Sequence, residues 1–206
     1  MRTSSSDEVL TRLKKYYDYT EKREDPFKVL VSTILSQRTR DENTEKASNA
    51  LFQKFDTLEK LARAELSEIE ELIKPAGFYH VKANRIKKVA QKILDSYGEV
   101  PDDIEELLSL EGVGRKTANC VLVYGFGIPA IPVDVHAHRI ANRLAIVSTK
   151  TPEETEIQLM DLFPEKDWIP INKLLVTLGR DVCRPQNPLC NHCVLSDVCP
   201  TGQKNE

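Results

Sequence analysis

Residues 110–135 read LEGVGRKTANCVLVYGFGIPAIPVDV, and the interpretation of the whole chain depends on this stretch. A glycine-spaced turn at Gly112 and Gly114 opens it. A predicted helix follows, with Lys116 in its first turn, and an isolated carboxylate, Asp134, stands near the end. Glycines let a main chain approach a ligand closely, and a helix N-terminus attracts anions. The stretch therefore indicates chemistry on a phosphate-bearing substrate, although an ordinary turn between helices also explains the glycines.

Apolar residues recur at helical spacing through almost the whole chain, and no convincing alternating strand pattern is found. The apolar residues over 82–97 predict one such helix, and Gly98 stands where its C-terminal cap belongs. The sequence therefore predicts an all-α fold. The clearest non-helical connector is GFGIPAIP at residues 125–132, where a domain boundary is expected. Further helices are predicted at residues 44–55, 56–63, 65–74, 102–110, 135–144 and 170–182.

Length and charge limit the possible classes of protein. A chain of 206 residues can form one large domain or two small ones with a real core. No apolar run approaches the roughly 18 residues of a membrane span, and the N-terminus lacks the apolar core of a secretion signal. The net charge of -3 argues weakly against a nucleic-acid partner. Residues 79–92, however, carry five basic side chains and no acid, whereas residues 151–167 are acidic, so local faces matter more than the total.

Four of the five cysteines lie close together near the end of the chain. Cys183, Cys190, Cys193 and Cys199 have the spacing C-x6-C-x2-C-x5-C. Without a secretion signal, a metal site explains them better than a disulfide framework. Four thiolates suit either tetrahedral zinc or an iron–sulfur cluster, and the single CxxC favours ligands at the corners of a cluster. Cys120 stands apart and is expected to be a small buried residue.

Three segments together resemble the endonuclease III family of DNA glycosylases, in the helix-hairpin-helix glycosylase superfamily. LEGVGRKTAN at residues 110–119 is similar to the hairpin motif, and VDVHAHRIANR at residues 133–143 to the catalytic-aspartate segment. The cysteine spacing is similar to the 4Fe–4S loop of the family. The likeness extends to ILSQRTRD at residues 34–41 and covers most of the chain in the right order. Glycine hairpins alone are common, but the three features at these separations are highly specific.

The resemblance implies two helical lobes with DNA bound in a cleft between them. One lobe would be a six-helix barrel over residues 22–130, with the helix-hairpin-helix at residues 102–125. The other would join residues 1–21 to residues 131–206 and hold a 4Fe–4S cluster in the loop of residues 183–199.

The resemblance also assigns catalytic roles. In the family, the lysine that matches Lys116 attacks C1′ of the damaged nucleotide, expels the base and forms a Schiff base. A helix first turn and partial burial would both favour the neutral amine that this attack requires. The residue matching Asp134 assists deprotonation and stabilises positive charge on the sugar, and an aspartate here is also expected to cap the next helix. From the residues alone, a phosphate contact explains Lys116 equally well, as it does Arg115.

Several residues match DNA contacts of the family. A base must leave the duplex before chemistry, and the family inserts a side chain into the gap. The usual glutamine appears one place early as Gln37, with Arg38 at the aligned position, so either could fill the gap. Phe78 matches a second inserted residue, although a core aromatic explains it nearly as well. His136 matches a histidine near the DNA backbone, and the cysteine loop would present Arg184 to DNA.

The sequence therefore predicts a base-excision-repair enzyme, a bifunctional DNA glycosylase and AP lyase that removes oxidised pyrimidines. One alternative is a mismatch-specific thymine or adenine glycosylase on the same fold, although such relatives generally have serine or tyrosine in place of Lys116. Another is a non-catalytic, zinc-dependent DNA-binding module. The expected partner is double-stranded DNA with a damaged base or abasic site, not a membrane. A monomer is expected, located in the cytoplasm and nucleoid-associated in a prokaryote.

Overall fold

The computed structural model describes residues 6–203, which contain α-helices and no strand. The all-α prediction is confirmed. Residues 1–5 and 204–206 of the predicted cluster lobe lie outside the described residues. The α-helices of the described part are α1 (Ser6–Tyr16), α2 (Pro26–Ser36), α3 (Asp41–Lys54), α4 (Leu58–Arg63), α5 (Leu66–Leu72), α6 (Tyr79–Ser96), α7 (Ile104–Leu108), α8 (Arg115–Cys120), α9 (Val135–Arg143), α10 (Pro152–Leu162) and α11 (Trp168–Asp181).

The chain forms two compact units. One unit is Arg23–Ile128, and the other joins the chain up to Lys22 to the chain from Pro129 onward. The first unit contains seven α-helices, α2 to α8, where the resemblance implies a barrel of six. Helices α4 and α5 are separate because the backbone is extended at Ala64 and Glu65 between them.

Helix α2 is fixed at its start by its cap and along its length by a close contact. The Asp25 side chain accepts a hydrogen bond from the Lys28 backbone N–H at 3.2 Å, and Pro26 suits the first helical position. A π-helical segment, Val121–Phe126, continues α8 and packs against α2. There a Cβ on Gly125 would lie 2.9 Å from Pro26 Cα, so a larger residue would not fit. The helical backbone consequently enters the predicted connector at residues 125–132.

Helix α6 carries the basic run of the sequence. It begins at Tyr79, ahead of the predicted start at residue 82, because Phe78 adopts a left-handed conformation with φ 60° and sets the direction of the chain. Its end agrees with the prediction. Gly98 has φ 80°, and its N–H donates a hydrogen bond to the Ile93 carbonyl at 2.9 Å.

The second unit has its own apolar core. Helix α1 contributes Val9 and Leu13, both fully buried, to this core. Helices α9 and α11 contribute Ala137, Ile140, Ala141, Ile171, Leu174, Leu175 and Leu178. Burying each valine, leucine or isoleucine side chain of this core stabilises the fold by about 1.5–3 kcal/mol before entropy is counted. Among the described residues, no helix combines the length and apolar character needed to cross a bilayer.

Candidate functional site

The glycine turn joins α7 to α8 in the Arg23–Ile128 unit. Asp103 caps α7, because its Oδ1 accepts hydrogen bonds from Glu105 N at 2.9 Å and Glu106 N at 3.0 Å. Gly112 has φ 82°, and a Cβ there would collide with the Arg85 side chain. Gly114 differs, since a Cβ on it would meet nothing within 4 Å. The space around Gly114, just before the N-terminus of α8, is therefore open, and a ligand can approach the main chain there.

Lys116 lies in the first turn of α8, and its side chain is exposed. Within α8 the residues from Thr117 to Cys120 are buried, whereas Arg115 and Lys116 at its N-terminal end are exposed. Exposure gives the amine access to a substrate. Cys120 is buried, as expected.

Asp134 caps α9 in the second unit, as the sequence predicts. Its Oδ1 accepts hydrogen bonds from His136 N at 2.9 Å and Ala137 N at 2.8 Å. The carboxylate is half-buried. Because both hydrogen bonds end on Oδ1, the group is held in one orientation and Oδ2 can serve another donor.

The two histidines of α9 have different neighbours. His136 Nδ1 lies 3.2 Å from Arg139 Nη2, and the ring packs where a Cβ on Gly179 of α11 would come within 2.9 Å of it. His138 Nδ1 instead lies 2.7 Å from Thr155 Oγ1. Sequence reasoning missed Gly179, whose place within an otherwise regular helical pattern was the available signal.

Three of the predicted DNA contacts come together on one surface of the Arg23–Ile128 unit. This α2–α6 surface lies around an open cavity lined by Gln37, Arg38, Phe78, Val81, Lys82 and Arg85. Phe78 is 65% exposed, so its interpretation as a core aromatic is wrong. Val81 is also exposed, one helical turn away, although the sequence gave no reason to single it out.

The Gln37 side chain is hydrogen-bonded to the glycine turn and to Arg85, whereas the Arg38 side chain is exposed. Arg85 Nη1 donates a hydrogen bond to Gln37 Oε1 at 2.9 Å, and Gln37 Nε2 donates to the Gly112 carbonyl at 3.5 Å. Arg38 is exposed and has φ 52°, an uncommon conformation for a residue with a side chain. Sequence reasoning missed Arg85, which braces both the hairpin and the end of α2.

The four clustered cysteines line a single cavity of the second unit. Burial raises the pKa of the Cys193 thiol, with a smaller rise from the charges of the other three cysteines. Within residues 6–203, no three His, Cys, Asp or Glu side chains stand close enough to hold one metal ion between them. The donor set of this cavity is four thiols in a mainly apolar lining. It fits a group that offers several iron atoms to thiolate ligands, as a 4Fe–4S cluster does.

Arg143 supports the cysteine loop, and the sequence did not point to it. Its Nη1 donates to Cys183 Sγ at 3.4 Å and to the Arg184 carbonyl at 2.7 Å, while its Nη2 donates to the Pro185 carbonyl at 2.8 Å. A guanidinium here would offset the negative charge of cysteine thiolates bound to a metal cluster. The Arg184 side chain itself is exposed.

Known proteins resemble this chain over most of its length. Residues 31–165 match the family described as HhH-GPD superfamily base excision DNA repair protein. Endonuclease III of Thermotoga maritima is 52% identical over 194 residues, which cover 94% of this chain and 91% of that protein. Endonuclease III of Synechocystis sp. is 42% identical over 205 residues, covering 95% and 92%.

Solved structures agree with these relatives. A trapped endonuclease III–DNA covalent intermediate superposes with a TM-score of 0.88 at 35% identity, covering 95% of this chain and 94% of that one. A thermostable thymine-DNA glycosylase superposes with a TM-score of 0.82 at 26% identity, covering 95% of each chain. The resemblance inferred from the hairpin, the aspartate segment and the cysteine spacing is thus confirmed. The chain is a base-excision-repair DNA glycosylase and AP lyase, and it belongs to the endonuclease III family within the HhH-GPD superfamily.

Proposed function

We propose that the enzyme removes oxidised pyrimidines from duplex DNA through a Schiff base on Lys116. The observation that carries this proposal is the exposed amine in the first turn of α8, directly after the open glycine turn. The neutral Nζ attacks C1′ of the damaged nucleotide, and the base leaves with the electrons of the C1′–N bond and gains a proton. Opening of the sugar ring gives the imine. Loss of a C2′ proton then breaks the C3′–O bond on the 3′ side.

Asp134 supplies negative charge to this reaction. Its Oδ1 is already held by two main-chain N–H groups, so the carboxylate needs little reorganisation when positive charge develops on the sugar. Preorganised charge of this kind is often the largest single catalytic contribution. We also propose that this carboxylate assists the deprotonation of Lys116 before the attack.

The hairpin and three side chains are proposed to hold the DNA backbone. Open space at Gly114 lets main-chain N–H groups approach a phosphate, with the N-terminus of α8 behind them. Arg115 and Arg184 are exposed, and their guanidinium groups suit phosphate oxygens. His136, beside Asp134 at the start of α9, is proposed to contact the backbone near the reacting sugar.

Arg38, rather than Gln37, is proposed to enter the gap left by the extruded nucleotide. Both ends of the Gln37 amide are engaged, one by Arg85 and the other by the Gly112 carbonyl. Arg38 projects from the turn that follows α2 and is exposed. Phe78 lies on the same surface and is exposed, and we propose that it also inserts between DNA bases, as an apolar wedge.

Borohydride trapping on a set of duplexes tests the proposed function. The protein should form a covalent adduct with thymine-glycol and abasic duplexes, because borohydride reduces the imine to a stable amine. Duplexes with uracil, 8-oxoguanine or a thymine mismatch should give much less adduct. The mismatch duplex is the sharpest competitor, since a thymine-DNA glycosylase shares this fold. Adduct formation confined to the abasic duplex would contradict the lesion assignment.

We also propose that Cys183, Cys190, Cys193 and Cys199 hold a 4Fe–4S cluster. The support is that all four line one cavity with apolar neighbours. When bound, the cluster would cross-link the four cysteines and so stabilise the loop of residues 183–199. The loop then presents Arg184, whose carbonyl is held by Arg143, to the DNA backbone.

Substitution Cys193→Ser should remove the broad visible absorption of the protein and destabilise the second unit by roughly 3 kcal/mol or more, because ligand binding and local folding are coupled. Iron content, visible absorption and thermal unfolding measure both effects. Cys120→Ser is the matched control, since Cys120 lies in the Arg23–Ile128 unit, and it should keep the iron. A colourless wild-type protein carrying one zinc ion would contradict the cluster.

The remaining expectations follow from the DNA substrate and stay predictions. The partner is double-stranded DNA with a damaged base or an abasic site. A monomer is sufficient for the proposed chemistry, because one chain supplies both Lys116 and Asp134. A cytoplasmic, nucleoid-associated location in a prokaryote would bring the enzyme to its substrate.

A further inference from the structure

Lys82 is a buried charge on the α2–α6 surface. Only 3% of the residue is exposed. Its Nζ donates hydrogen bonds to the Leu35 carbonyl at 2.7 Å and to Thr39 Oγ1 at 2.6 Å. Both acceptors are neutral, so the desolvation of the ammonium is not offset by a carboxylate. A lysine placed this unfavourably for stability is a candidate for a functional role.

The two acceptors of Lys82 lie on either side of the turn that carries Arg38. Leu35 belongs to the last turn of α2, where carbonyl groups lack partners within the helix and attract a positive charge. Thr39 follows directly after Arg38, whose φ is 52°. The Thr39 N–H also donates to the Ser36 carbonyl at 3.1 Å. One ammonium group thus ties together both ends of a strained turn.

We propose that Lys82 is a positioning residue, whose buried ammonium holds the turn of residues 36–39 in the conformation that projects Arg38 into DNA. This proposal rests on the proposed function, in which Arg38 enters the gap left by the extruded nucleotide. Lys82 itself reaches no substrate, because its Nζ is occupied inside the protein. Sequence patterns alone favoured the other interpretation, in which the basic run of residues 79–92 simply solvates a helix face.

The protonation of Lys82 gives this role a measurable signature. Burial, with a smaller contribution from the Arg85 charge, lowers the pKa of Lys82 from 10.5 to about 8. The charged side chains that share its surface are Arg85 and Arg38, both positive. DNA phosphates favour the ammonium, so DNA affinity should fall as the pH rises through about 8. The unfolded chain keeps this proton up to about pH 10.5, whereas the folded chain loses it at about pH 8. The cost of burying the Lys82 charge is therefore fully present below about pH 8, and it is relieved as the pH rises from about 8 to 10.5.

Binding of the full chain to a duplex with an uncleavable abasic analogue, measured by fluorescence anisotropy between about pH 6.5 and 9.5, tests the proposal. Wild-type affinity should fall across this range. Lys82→Met should bind about tenfold more weakly at neutral pH and lose the pH step, while its melting temperature stays equal or rises because a buried charge is gone. Thr39→Val, which removes one acceptor, should weaken binding in the same direction. Lys88→Met on the exposed side of α6 is the control and should keep the pH step.

Coupling to Arg38 separates positioning from a direct contact. If Lys82 acts through Arg38, the double variant Lys82→Met with Arg38→Ala should bind no more weakly than Arg38→Ala alone. If the two substitutions reduce DNA affinity independently, so that their fold-changes multiply in the double variant, the proposal is overturned while the proposed function stands. Wild-type affinity in Lys82→Met would overturn it in the same way. Equal wild-type binding to abasic and undamaged duplexes would instead overturn the proposed function, and this proposal with it.

Discussion

Lys116→Gln should abolish borohydride trapping on thymine-glycol and abasic duplexes and lower the strand-cleavage rate at least about 10³-fold. Glutamine is similar in length and polar, but its amide nitrogen has no basic lone pair and cannot form an imine. Single-turnover cleavage and adduct formation on denaturing gels measure the two effects. The fold should be preserved, because Lys116 is exposed and surface substitutions usually change stability by no more than about 0.5 kcal/mol.

The neighbouring Arg115 provides the matched control for this substitution. Arg115→Gln removes a positive charge from the same helical turn without removing the nucleophile. It should weaken DNA binding about three- to tenfold, with a smaller salt dependence, and should still give full trapping at saturating protein. Normal trapping by Lys116→Gln would show that another amine is the nucleophile. Equal loss of trapping in both variants would reduce Lys116 to a phosphate contact.

The fold could be predicted from the sequence wherever local patterns determine structure. Helix α6 ends just before Gly98, which the pattern indicated as its C-terminal cap, and Asp134 caps α9 as its place before that helix suggested. Capping and apolar periodicity involve residues within one or two helical turns of each other, so they are visible in a sequence. The cysteine spacing is equally local, which explains why all four cysteines were found around one cavity.

The unpredicted features depend on contacts between residues far apart in the chain. Arg85 lies beneath Gly112 and bonds to Gln37, and Arg143 supports Cys183 from a separate helix. In the sequence, Arg85 belongs to the basic run of residues 79–92, which is typical of a solvated face. Arg143 closes the segment of residues 133–143, where nothing indicates a contact with the cysteine loop. Lys82 illustrates the limit most clearly. The spacing of its run allows either an exposed or a buried side chain, and only packing against the end of α2 makes it a buried donor.

The exposure of Lys116 has a similar origin. Lys116 does lie in the first turn of a helix, but how far along a six-residue helix burial extends depends on the elements that pack against it. The structure buries Thr117 and its successors instead. The amine therefore stays accessible to a substrate, as the proposed attack on C1′ requires.

Asp134 combines a structural and a catalytic role that one substitution can separate. Asparagine caps helices about as well as aspartate, since its side-chain oxygen accepts the same main-chain hydrogen bonds, but it carries no charge. Alanine removes both the cap and the charge. The stability and the rate should therefore respond differently to the two replacements.

Asp134→Asn should keep the melting temperature almost unchanged and lower the rate of base excision by about 10²- to 10³-fold, because the cap survives while the charge that stabilises the sugar cation is lost. Asp134→Ala should show a similar loss of rate together with destabilisation by about 1 kcal/mol. Thermal unfolding and single-turnover excision of thymine glycol measure the two quantities. Asp103→Asn is the matched control, since Asp103 caps α7 through the same pair of hydrogen bonds and should affect neither. Excision by Asp134→Asn at the wild-type rate would leave Asp134 as a helix cap alone and would require another group to stabilise the charge on the sugar.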